Sequence, residues 1–384
     1  MRVSRFNGLV HLGIEAIKLL QERRGIGRYV RNVLQQCALR HPELRVTLFV
    51  GRDSDGTPLR ALLELLHRGL SARTTIAPIA RLANTDVDVV WYPWNVITVA
   101  AKRAPMVVST LDLAPMLQLD HRWWKVLKRA KHRYRYVRSM RLAHRVLTIS
   151  SFSKQELVTR LGVAPARIHV TMLGADDLPV DGADQPRPLS TAGITGPFFL
   201  TVGGQEERKN LGTLYAAMDR LYAAGVRVPL VQCGPGMSAQ TRALHGRAPW
   251  LAHVGYVSDA ELVTLYRRAT ALVYPSSYEG FGLPVLEAMQ SGGAVICADA
   301  SSLPEVVGDA ALMFPHADVD ALVRCMRRLI DEPLLRHTQI ARGRARAAQF
   351  SWARAAEETW GELVAVAEQA RRTNDAANGV AQRR

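Results

Sequence analysis

Two glutamates flank a glycine-rich turn in YPSSYEGFGLPVLEAMQSGG, which covers residues 274–293. Glu279 and Glu287 stand eight positions apart in this stretch. The segment ALVYPS before it predicts a strand. Pro284 predicts the first turn of a helix that begins near Leu283, because the missing proline amide costs little there. We therefore expect the two carboxylates on either side of a helix N-terminus, where backbone amides can bind anions or hydroxyl groups.

Carboxylates placed in this way can accept paired hydrogen bonds from neighbouring hydroxyl groups, as the ribose-binding acid does in dinucleotide folds. The arrangement fits a nucleotide sugar: one acid for the ribose, one for the hexose, and the amides of Gly280 to Leu283 between them. An isolated pair with this spacing is more often a solvated helix residue and a loop charge. The interpretation therefore needs a second observation.

Arg208 and Lys209 provide that observation. They follow the predicted strand FFLTVGG in the segment QEERKNL, at the start of the next predicted helix. Two cations beside a helix N-terminus can clamp a diphosphate, and arginine can bind two oxygens at once. Exposed basic residues on a capped helix are the alternative interpretation.

Two further glycine turns follow predicted strands. One is QCGPGMS at 232–238, and the other is ERRGIGRY, where Gly25 and Gly27 would let the backbone approach a ligand closely. Neither turn is a GxGxxG motif, and the chain contains no P-loop. Dinucleotide and ATP binding are therefore disfavoured.

Thirteen short apolar runs alternate with helical patterns and predict parallel sheets covered by helices on both faces. Strands are predicted in the first half at 9–16, 45–50, 74–79, 87–94, 105–110, 145–150 and 167–173, and in the second half at 198–203, 229–234, 251–256, 271–276, 294–299 and 311–315. The main helices are predicted near 27–40, 58–69, 121–143, 153–161, 209–224, 259–269, 283–291, 318–331 and 333–348.

A region rich in Gly, Pro and Asp, 175–197, predicts a linker between an N-terminal domain, 1–174, and a C-terminal domain, 198–351. A last helix at 352–372 is expected to cross back to the N-terminal domain, and the polar tail 373–384 is expected to be disordered. Ligands of such sheets bind outside the carboxyl ends of the strands. The chemistry is therefore expected in a cleft between the domains.

The net charge of +16 is concentrated in the first half of the chain. Residues 1–196 contain 30 Lys/Arg and 15 Asp/Glu, whereas residues 197–384 contain 20 and 19. This asymmetry predicts an anionic partner for the first half: a membrane, a nucleic acid or a phosphorylated substrate.

The strongest concentration of charge is HRWWKVLKRAKHRYRYVRSMRLAHR, residues 121–145, with ten Lys/Arg and no acidic residue. A basic, Trp-bearing amphipathic helix is typical of a membrane-surface element. A core-packed helix with a solvated outer face is the alternative, and both hold if the apolar stripe points inward. Nucleic-acid binding is disfavoured, because no zinc spacing or RNA-binding signature is present. The predicted apolar stripe is Trp123, Val126, Leu127, Ala130, Tyr134, Val137 and Met140, and the predicted membrane- or acceptor-facing residues are Trp123, Trp124, Lys125, Lys128, Arg129 and Lys131.

Five segments in this order resemble a family-four retaining glycosyltransferase of the GT-B fold. They are GIGRY, ISSFSKQEL, VGGQEERKNL, YVSDAELVTLYRRATALVYPSSYEGFGLPVLEAM and SSLPEVVGDAALMF. The resemblance covers about residues 9–365, is most specific in the second half, and is closest to bacterial mannosyltransferase-like enzymes that build cell-surface polysaccharides. It implies an α/β protein with two doubly wound, Rossmann-like domains facing across a cleft.

The resemblance also implies roles for matching positions. Glu279 would bind hydroxyls of the donor hexose near its anomeric carbon, and Glu287 would bind the ribose. Arg208 and Lys209 would hold the diphosphate and stabilise the charge that builds on the leaving group. Further donor contacts are implied for Gly25, Gly27, Gly204, Gly280, Phe281, Gly282, Leu283, Tyr256 and Val257. Family members need no divalent metal, so no cofactor is expected beyond the substrate itself, a GDP- or UDP-linked sugar.

One position departs from the family pattern. The family usually shows His-Asp after the strand that matches PMVVST, but this chain reads STLDLAP, with Leu111 in place of the histidine and Asp112 retained. That histidine normally contacts the donor sugar. Its loss leaves three outcomes open: another residue substitutes, donor contacts differ, or activity is reduced. Asp112 is a candidate catalytic residue, although retention in this family is usually described as front-face attack in which the leaving phosphate takes the acceptor proton.

The function expected from this resemblance is transfer of a hexose, with mannose favoured, from a nucleoside-diphosphate sugar to a lipid-linked or growing cell-surface glycan. No apolar run approaches the ~20 residues of a spanning helix. The expected location is therefore the cytoplasm, peripheral to the inner face of the cytoplasmic membrane. Two alternatives stay open: a nucleotide-sugar 2-epimerase of the same fold, and a catalytically weak nucleotide-sugar-binding protein, because of Leu111.

Overall fold

The structure is a computed structural model. It describes residues 10–22, 25–51, 56–117, 123–176, 178–179, 187–236, 239–246 and 248–381. The chain divides into two units. The N-terminal unit combines Met1–Leu173 with Trp352–Arg384, and the C-terminal unit is Gly174–Ser351.

Seven strands form the sheet of the N-terminal unit, and all neighbouring pairs are parallel. They are β1 (His11–Glu15), β2 (Arg45–Val50), β3 (Thr74–Pro78), β4 (Val89–Tyr92), β5 (Met106–Ser109), β6 (Arg145–Thr148) and β7 (Ile168–Val170). The strand order is β3-β2-β1-β4-β5-β6-β7, so it reverses between β1 and β4. Every residue of β4 and β5 is buried, as expected for a parallel sheet that is covered on both faces.

The described residues of this unit form six helices. They are α1 (Ile26–Arg40), α2 (Gly56–Leu66), α3 (Ala114–Leu117), α4 (Trp123–Leu142), α5 (Ser151–Leu161) and α14 (Trp352–Ala381), with short 3-10 turns at Ser71–Arg73, Ile79–Asn84 and Pro165–Arg167. The core between helices and sheet includes Phe49, Tyr92, Tyr136 and Met140. Beside it, the rings of Tyr29 and Trp91 are nearly perpendicular, with centroids 5.7 Å apart, and Trp91 Nε1 donates a 2.8 Å hydrogen bond to Ser109 Oγ.

The C-terminal helix α14 packs against α1, β4 and β6 of the N-terminal unit. Its Glu362 pairs with Arg145 at 2.9 Å and with His169 at 3.1 Å. The prediction of a disordered tail at 373–384 is wrong for residues 373–381, because α14 continues to Ala381. Residues 382–384 lie outside the described residues. The earlier turns of α14 are held by packing against α1, β4 and β6, so the costly first turn of the helix is already formed. Each residue added after them gains a backbone hydrogen bond without the cost of a new first turn.

The C-terminal unit contains a second parallel sheet. Its strands are β8 (Phe199–Val202), β9 (Leu230–Cys233), β10 (Leu251–Gly255), β11 (Ala271–Tyr274), β12 (Val295–Ala298) and β13 (Leu312–Phe314). The order is β10-β9-β8-β11-β12-β13, which reverses between β8 and β11. The helices are α6 (Arg187–Thr191), α7 (Leu211–Ala223), α8 (Ala239–His245), α9 (Asp259–Arg268), α10 (Leu283–Ser291), α11 (Leu303–Val307), α12 (Val319–Asp331) and α13 (Pro333–Ala347), with a 3-10 turn at Glu207–Lys209. All thirteen predicted strands are therefore present in the two sheets.

The segment predicted as a linker, 175–197, belongs to the C-terminal unit and is not structureless. It contains the short helix α6, in which Leu189 is buried. Proline is tolerated in a first helical turn, so Pro188 does not prevent the helix, and burial of Leu189 anchors it. Residues 177 and 180–186 of this segment lie outside the described residues.

The apolar stripe predicted along α4 does not form one buried face. Leu127 and Tyr134 are 64% and 68% exposed, whereas the buried face contains Tyr136 and Met140. Each residue advances about 100° around a helix, so the irregular steps of the predicted stripe wind from the outer side to the inner side. The side chains of residues 123–126, including Trp123, Trp124 and Lys125, lie outside the described residues. No helix in the described part of the chain is long and apolar enough to cross a membrane.

Candidate active site

The charged residues of the C-terminal unit meet where its strand order reverses. Arg208 and Lys209 lie in the 3-10 turn after β8, and Glu279 lies in the loop after the neighbouring strand β11. In open α/β sheets, such reversal points leave a crevice outside the carboxyl ends of the strands, where ligands bind. The topology alone therefore brings these three residues together.

Glu279 is the centre of this cluster and is 8% exposed. Its Oε1 lies 2.7 Å from Lys209 Nζ and accepts hydrogen bonds from the hydroxyls of Tyr274 at 2.9 Å and Ser276 at 2.6 Å. Its Oε2 accepts a 3.0 Å hydrogen bond from Arg208. Both carboxylate oxygens therefore have charged donors.

The electrostatic consequence is a carboxylate that is ionised at neutral pH while its two cations are in place. Burial alone raises the pKa of Glu279, but the Lys209 ammonium and the Arg208 guanidinium outweigh burial and lower that pKa to about 2. Burial and the charge of Glu279 together raise the pKa of Tyr274 well above its usual value, so its hydroxyl stays protonated. In this arrangement one carboxylate holds two cations that could instead bind a diphosphate.

Backbone and serine contacts fix the loop that carries Glu279. The Ser277 amide donates to the Arg208 carbonyl at 2.8 Å, and Arg208 Nη1 donates to the Tyr278 carbonyl at 3.2 Å. On the other side, the Glu279 amide donates to Ser301 Oγ at 3.0 Å, and the next serine, Ser302, donates to the Glu279 carbonyl at 2.9 Å. The loops after β8, β11 and β12 therefore support one another.

Helix α10 begins at Leu283 with Pro284 in its first turn, as predicted. Gly282 precedes it with φ of 104°, a conformation that favours glycine, and a Cβ there would lie 2.6 Å from Leu303 Cδ2. Among the described residues, the amides of Phe281, Gly282 and Leu283 have no hydrogen-bond acceptor, whereas Gly280 already has a partner. These amides and the helix dipole suit a negatively charged or hydroxyl ligand.

Glu287 lies one turn into α10 and is 6% exposed, so it is not the solvated helix residue of the alternative interpretation. The hydroxyl of Tyr266, a fully buried residue of α9, donates a 2.9 Å hydrogen bond to Glu287 Oε2. Each glutamate of the pair is thus oriented by a buried tyrosine, Glu279 by Tyr274 and Glu287 by Tyr266.

Glycines follow β8 and β9 directly, and β10 ends in a glycine. Gly203 and Gly234 have φ values of 137° and 138°, and a Cβ on Gly234 would lie 2.3 Å from the Gly203 carbonyl oxygen. Gly204 follows Gly203 in the loop after β8. At the end of β10, Tyr256 is 63% exposed and Val257 is 8% exposed. A Cβ on Gly203 would lie 3.6 Å from Lys209 Cε, so the glycine turn after β8 lies next to the Lys209 side chain.

In the N-terminal unit, Gly25 and Gly27 lie where α1 begins. Gly25 has φ of 55° and precedes the first helical residue, and a Cβ on Gly27 would lie 1.6 Å from the Glu22 carbonyl oxygen. Both positions therefore need glycine for backbone reasons alone, which is independent of ligand binding.

Leu111 and Asp112 follow β5, and both have local structural contacts. Leu111 is 5% exposed; its amide donates to Asn95 Oδ1 at 2.7 Å and its carbonyl accepts from Ser153 at 3.1 Å. Asp112 Oδ1 accepts a 3.1 Å hydrogen bond from the Ala114 amide at the start of α3. The structure thus gives Asp112 a helix-capping contact, and its catalytic role stays a prediction.

Tyr266, Tyr274 and Ser276 are the site contacts that the sequence interpretation missed. Both tyrosines lie in apolar surroundings and read as core residues. The available signal was chemical: a buried tyrosine hydroxyl needs a hydrogen-bond partner, and Glu279, five positions after Tyr274, is the acidic residue nearest to that tyrosine along the chain.

Two doubly wound units, one with paired acids and cations at a strand reversal, are the arrangement of the GT-B fold. The comparisons with protein families agree: residues 191–346 match the family model "Glycosyl transferases group 1", and residues 23–177 match "Glycosyltransferase Family 4". The chain belongs to glycosyltransferase family 4, as the sequence resemblance predicted.

Among similar proteins, the O-antigen chain mannosyltransferase B of Escherichia coli is 36% identical over 247 residues, which cover 60% of this chain and 64% of that protein. The MMP alpha-(1->4)-mannosyltransferase of Mycolicibacterium hassiacum is 33% identical over 252 residues, which cover 62% and 59%. These alignments span less than two thirds of either relative.

Solved structures confirm the predicted fold. Sucrose-phosphate synthase from Thermosynechococcus elongatus matches 96% of this chain and 100% of its own, with a TM-score of 0.69 and 19% identity. HepE from Anabaena, solved with UDP and glucose, matches 93% of this chain and 100% of its own, with a TM-score of 0.70 and 16% identity. At these identities the likeness concerns the fold alone.

Proposed function

We propose that this protein is a retaining mannosyltransferase that uses a nucleoside-diphosphate donor. The observation that carries the proposal is the cluster of Glu279, Arg208 and Lys209 at the strand reversal of the C-terminal unit. An arriving diphosphate offers these cations a second anion, and Glu279 then becomes available to hydroxyl groups of the hexose. The names of the two relatives favour mannose as that hexose.

The residues have separate roles in this proposal. Arg208 and Lys209 stabilise the negative charge that develops on the departing diphosphate, which is the kind of preorganised electrostatic contact that accelerates group transfer most. The amides at the start of α10 bind donor oxygens, and Glu287 binds the ribose. The leaving phosphate accepts the proton of the acceptor hydroxyl, so no protein base is required.

The test begins with donor binding. GDP-mannose, GDP, UDP-glucose and UDP are added separately to the purified protein, and the shift in melting temperature identifies the base and sugar that bind. Turnover is then measured with the stabilising donor and a mannose-terminated glycan carrying a hydrophobic aglycone. Glu279→Ala should abolish transfer without loss of the folded state, and a Glu279→Ala protein with wild-type turnover contradicts the proposal.

Three controls separate the alternatives. Sugar exchange on the nucleotide without acceptor would indicate a 2-epimerase. Donor binding without turnover would indicate the binding protein that Leu111 leaves open. Turnover that is unchanged by EDTA is expected from a site that uses protein cations, and its loss would contradict metal independence.

We propose further that α4 brings the acceptor side to an anionic membrane. Leu127 and Tyr134 are exposed on this helix, and the cations Lys128, Arg129 and Lys131 lie between them in sequence. Burial and the neighbouring charges of Arg135, Lys128 and Lys131 lower the pKa of His132, as expected inside a positive field. A lipid-linked or polysaccharide acceptor would then meet the enzyme at the cytoplasmic face.

Sedimentation with anionic vesicles tests this surface. Each Lys or Arg close to an anionic membrane surface contributes about 1 kcal/mol to the free energy of membrane binding. Replacing Lys125, Lys128, Arg129 and Lys131 by glutamine should therefore weaken binding by roughly 100- to 1000-fold. The matched control replaces four exposed arginines of the C-terminal unit, Arg324, Arg327, Arg342 and Arg344. Equal loss in both proteins, or no loss in either, contradicts the assignment to α4.

A further inference from the structure

Tyr274 contacts both of the charged residues that the proposed mechanism separates. It is the last residue of β11 and is 2% exposed. Its hydroxyl accepts a 2.6 Å hydrogen bond from Lys209 Nζ and donates a 2.9 Å hydrogen bond to Glu279 Oε1. Since Lys209 Nζ and Glu279 Oε1 are themselves 2.7 Å apart, three polar atoms form a closed triangle.

Donor binding must open this triangle. A diphosphate that attracts Lys209 and Arg208 weakens the two contacts that compensate most strongly for the burial of Glu279. A buried carboxylate without its cations takes up a proton or moves toward water. A neutral Glu279 could no longer accept the hydrogen bonds expected from the hexose hydroxyls.

Only neutral hydroxyl donors are left to hold Glu279 after that exchange. Of the contacts to its carboxylate, those from Tyr274 and Ser276 come from groups that carry no charge for a diphosphate to attract. Tyr274 is the more rigid of the two, because its ring is fixed within β11 and burial keeps its hydroxyl protonated.

We propose that Tyr274 is a positioning residue that keeps Glu279 ionised and oriented while Lys209 moves to the donor diphosphate. The inference rests on the proposed function and adds a residue to it. Tyr274 acts through Glu279 and Lys209 and touches neither the hexose nor the diphosphate. Its hydroxyl lets one lysine serve two anions in turn without leaving the carboxylate unsatisfied.

The variant Tyr274→Phe tests the inference, and Tyr266→Phe is the matched control. Both changes remove one buried hydroxyl from one glutamate of the same pair. Hydrogen bonds to charged groups are strong enough that Tyr274→Phe should lower kcat roughly 10- to 100-fold, while KM for the donor changes less than about threefold. Tyr266→Phe should act mainly on KM, because Glu287 is assigned to the ribose. Wild-type kcat for Tyr274→Phe, or the same pattern in both variants, would overturn the inference.

A second readout does not depend on turnover. The nucleoside diphosphate that binds best is titrated calorimetrically in two buffers with different ionisation enthalpies, which measures the protons taken up on binding. At pH 7 we expect Tyr274→Phe to take up more protons than the wild type, because Glu279 loses its cations and one hydroxyl together. Equal proton uptake overturns the inference. If the wild type binds the diphosphate but transfers no sugar, the proposed function fails and the proton measurement still decides the role of Tyr274.

Discussion

The carboxyl ends of the two sheets each hold a buried glutamate, and the two are satisfied in opposite ways. Glu279 in the C-terminal unit has four donors to its carboxylate, two of them cations, and a pKa lowered to about 2. Glu15, at the end of β1 in the N-terminal unit, is 2% exposed; among the described residues its Oε2 has no hydrogen-bond partner. Burial raises the pKa of Glu15 to about 7, despite hydrogen bonds from Thr98 and the charges of Lys18 and Arg135.

The comparison shows what each unit does with its charge. The C-terminal unit places cations inside its site, where a carboxylate holds them until a ligand replaces it. The N-terminal unit carries most of the net positive charge on exposed surfaces such as α4. Its buried carboxyl group, Glu15, has no cation in direct contact among the residues that the structure describes and has a pKa raised to about 7. Charged contacts of the donor are therefore expected at one sheet edge, whereas the charge of the other unit acts at its surface.

The largest expected effect concerns Lys209, which is the only lysine between residues 197 and 384. Lys209→Met should lower kcat roughly 100- to 1000-fold, because it removes one of two cations that oppose charge on the leaving group. Lys209→Arg keeps the charge, but a planar guanidinium cannot replace the compact ammonium between Tyr274 and Glu279, so we expect only partial recovery. Steady-state kinetics with the preferred donor checks both. Full activity of Lys209→Met would remove the basis for calling this cluster a diphosphate site.

The next effect concerns stability and pH. The folded-state pKa of Glu15 is raised from 4.5 to about 7, so the folded state retains a proton that the unfolded state loses. Stability should therefore fall as pH rises from 4.5 to 7, by roughly 3 kcal/mol in total, and then level off. Glu15→Gln should remove this loss and be more stable than the wild type at pH 8, with little difference at pH 4.5.

Urea unfolding at pH 4.5 to 9 measures this difference. Six of the seven tryptophans lie in the N-terminal unit, so tryptophan fluorescence reports mainly on the unit that contains Glu15. The free energy of unfolding of the wild type is subtracted from that of Glu15→Gln at each pH. The difference removes the contributions of histidines such as His11 and His144, whose pKa values are lowered chiefly by burial. If stability depends on pH in the same way in the wild type and in Glu15→Gln, burial does not raise the pKa of Glu15, and the contrast with Glu279 fails.

Leu111 offers a smaller effect in the same unit. Restoring the family histidine as Leu111→His should destabilise the protein by about 1–3 kcal/mol, because the side chain at this position is buried and imidazole needs polar partners. Leu111→Met, which conserves volume, should change stability by less than about 1.5 kcal/mol. Chemical unfolding measures both variants. A Leu111→His protein with higher kcat and unchanged stability would show that a histidine here does reach the donor.

The sequence predicted most of the sheet framework, because buried parallel strands are short continuous apolar runs. It also predicted the start of α10 from Pro284 and the grouping of Glu279 with Arg208. It could not predict which face of α4 is buried, since both the exposed and the buried face of that helix carry apolar residues such as Leu127 and Met140. Glu15 was equally hidden, because its pKa is raised by burial, which depends on tertiary packing.

The smallest expected effect concerns Glu261, a partly buried carboxylate that stabilises a helix instead of a ligand. Glu261 Oε2 accepts hydrogen bonds from the Ser258 amide and hydroxyl, both at 2.9 Å, and Ser258 caps α9 in return. These bonds lower the pKa of Glu261, so its contribution is present at neutral pH and is lost as pH falls through the lowered value.

Ser258→Ala should cost about 1 kcal/mol, because it removes the hydroxyl that caps the first turn of α9. Glu261→Gln should cost less, since glutamine can still accept from the Ser258 amide. Unfolding of both variants, followed by far-ultraviolet circular dichroism, measures the difference. The stability lost in each of these two variants should be nearly independent of pH above 6, because neither substitution creates or removes a buried charge. Substitutions of Glu279 or Glu15, in contrast, do change a buried charge. A strong pH dependence for Ser258→Ala would show that the capping box is coupled to the buried carboxylate cluster, and the distinction between structural and ligand-binding acids in this unit would fail.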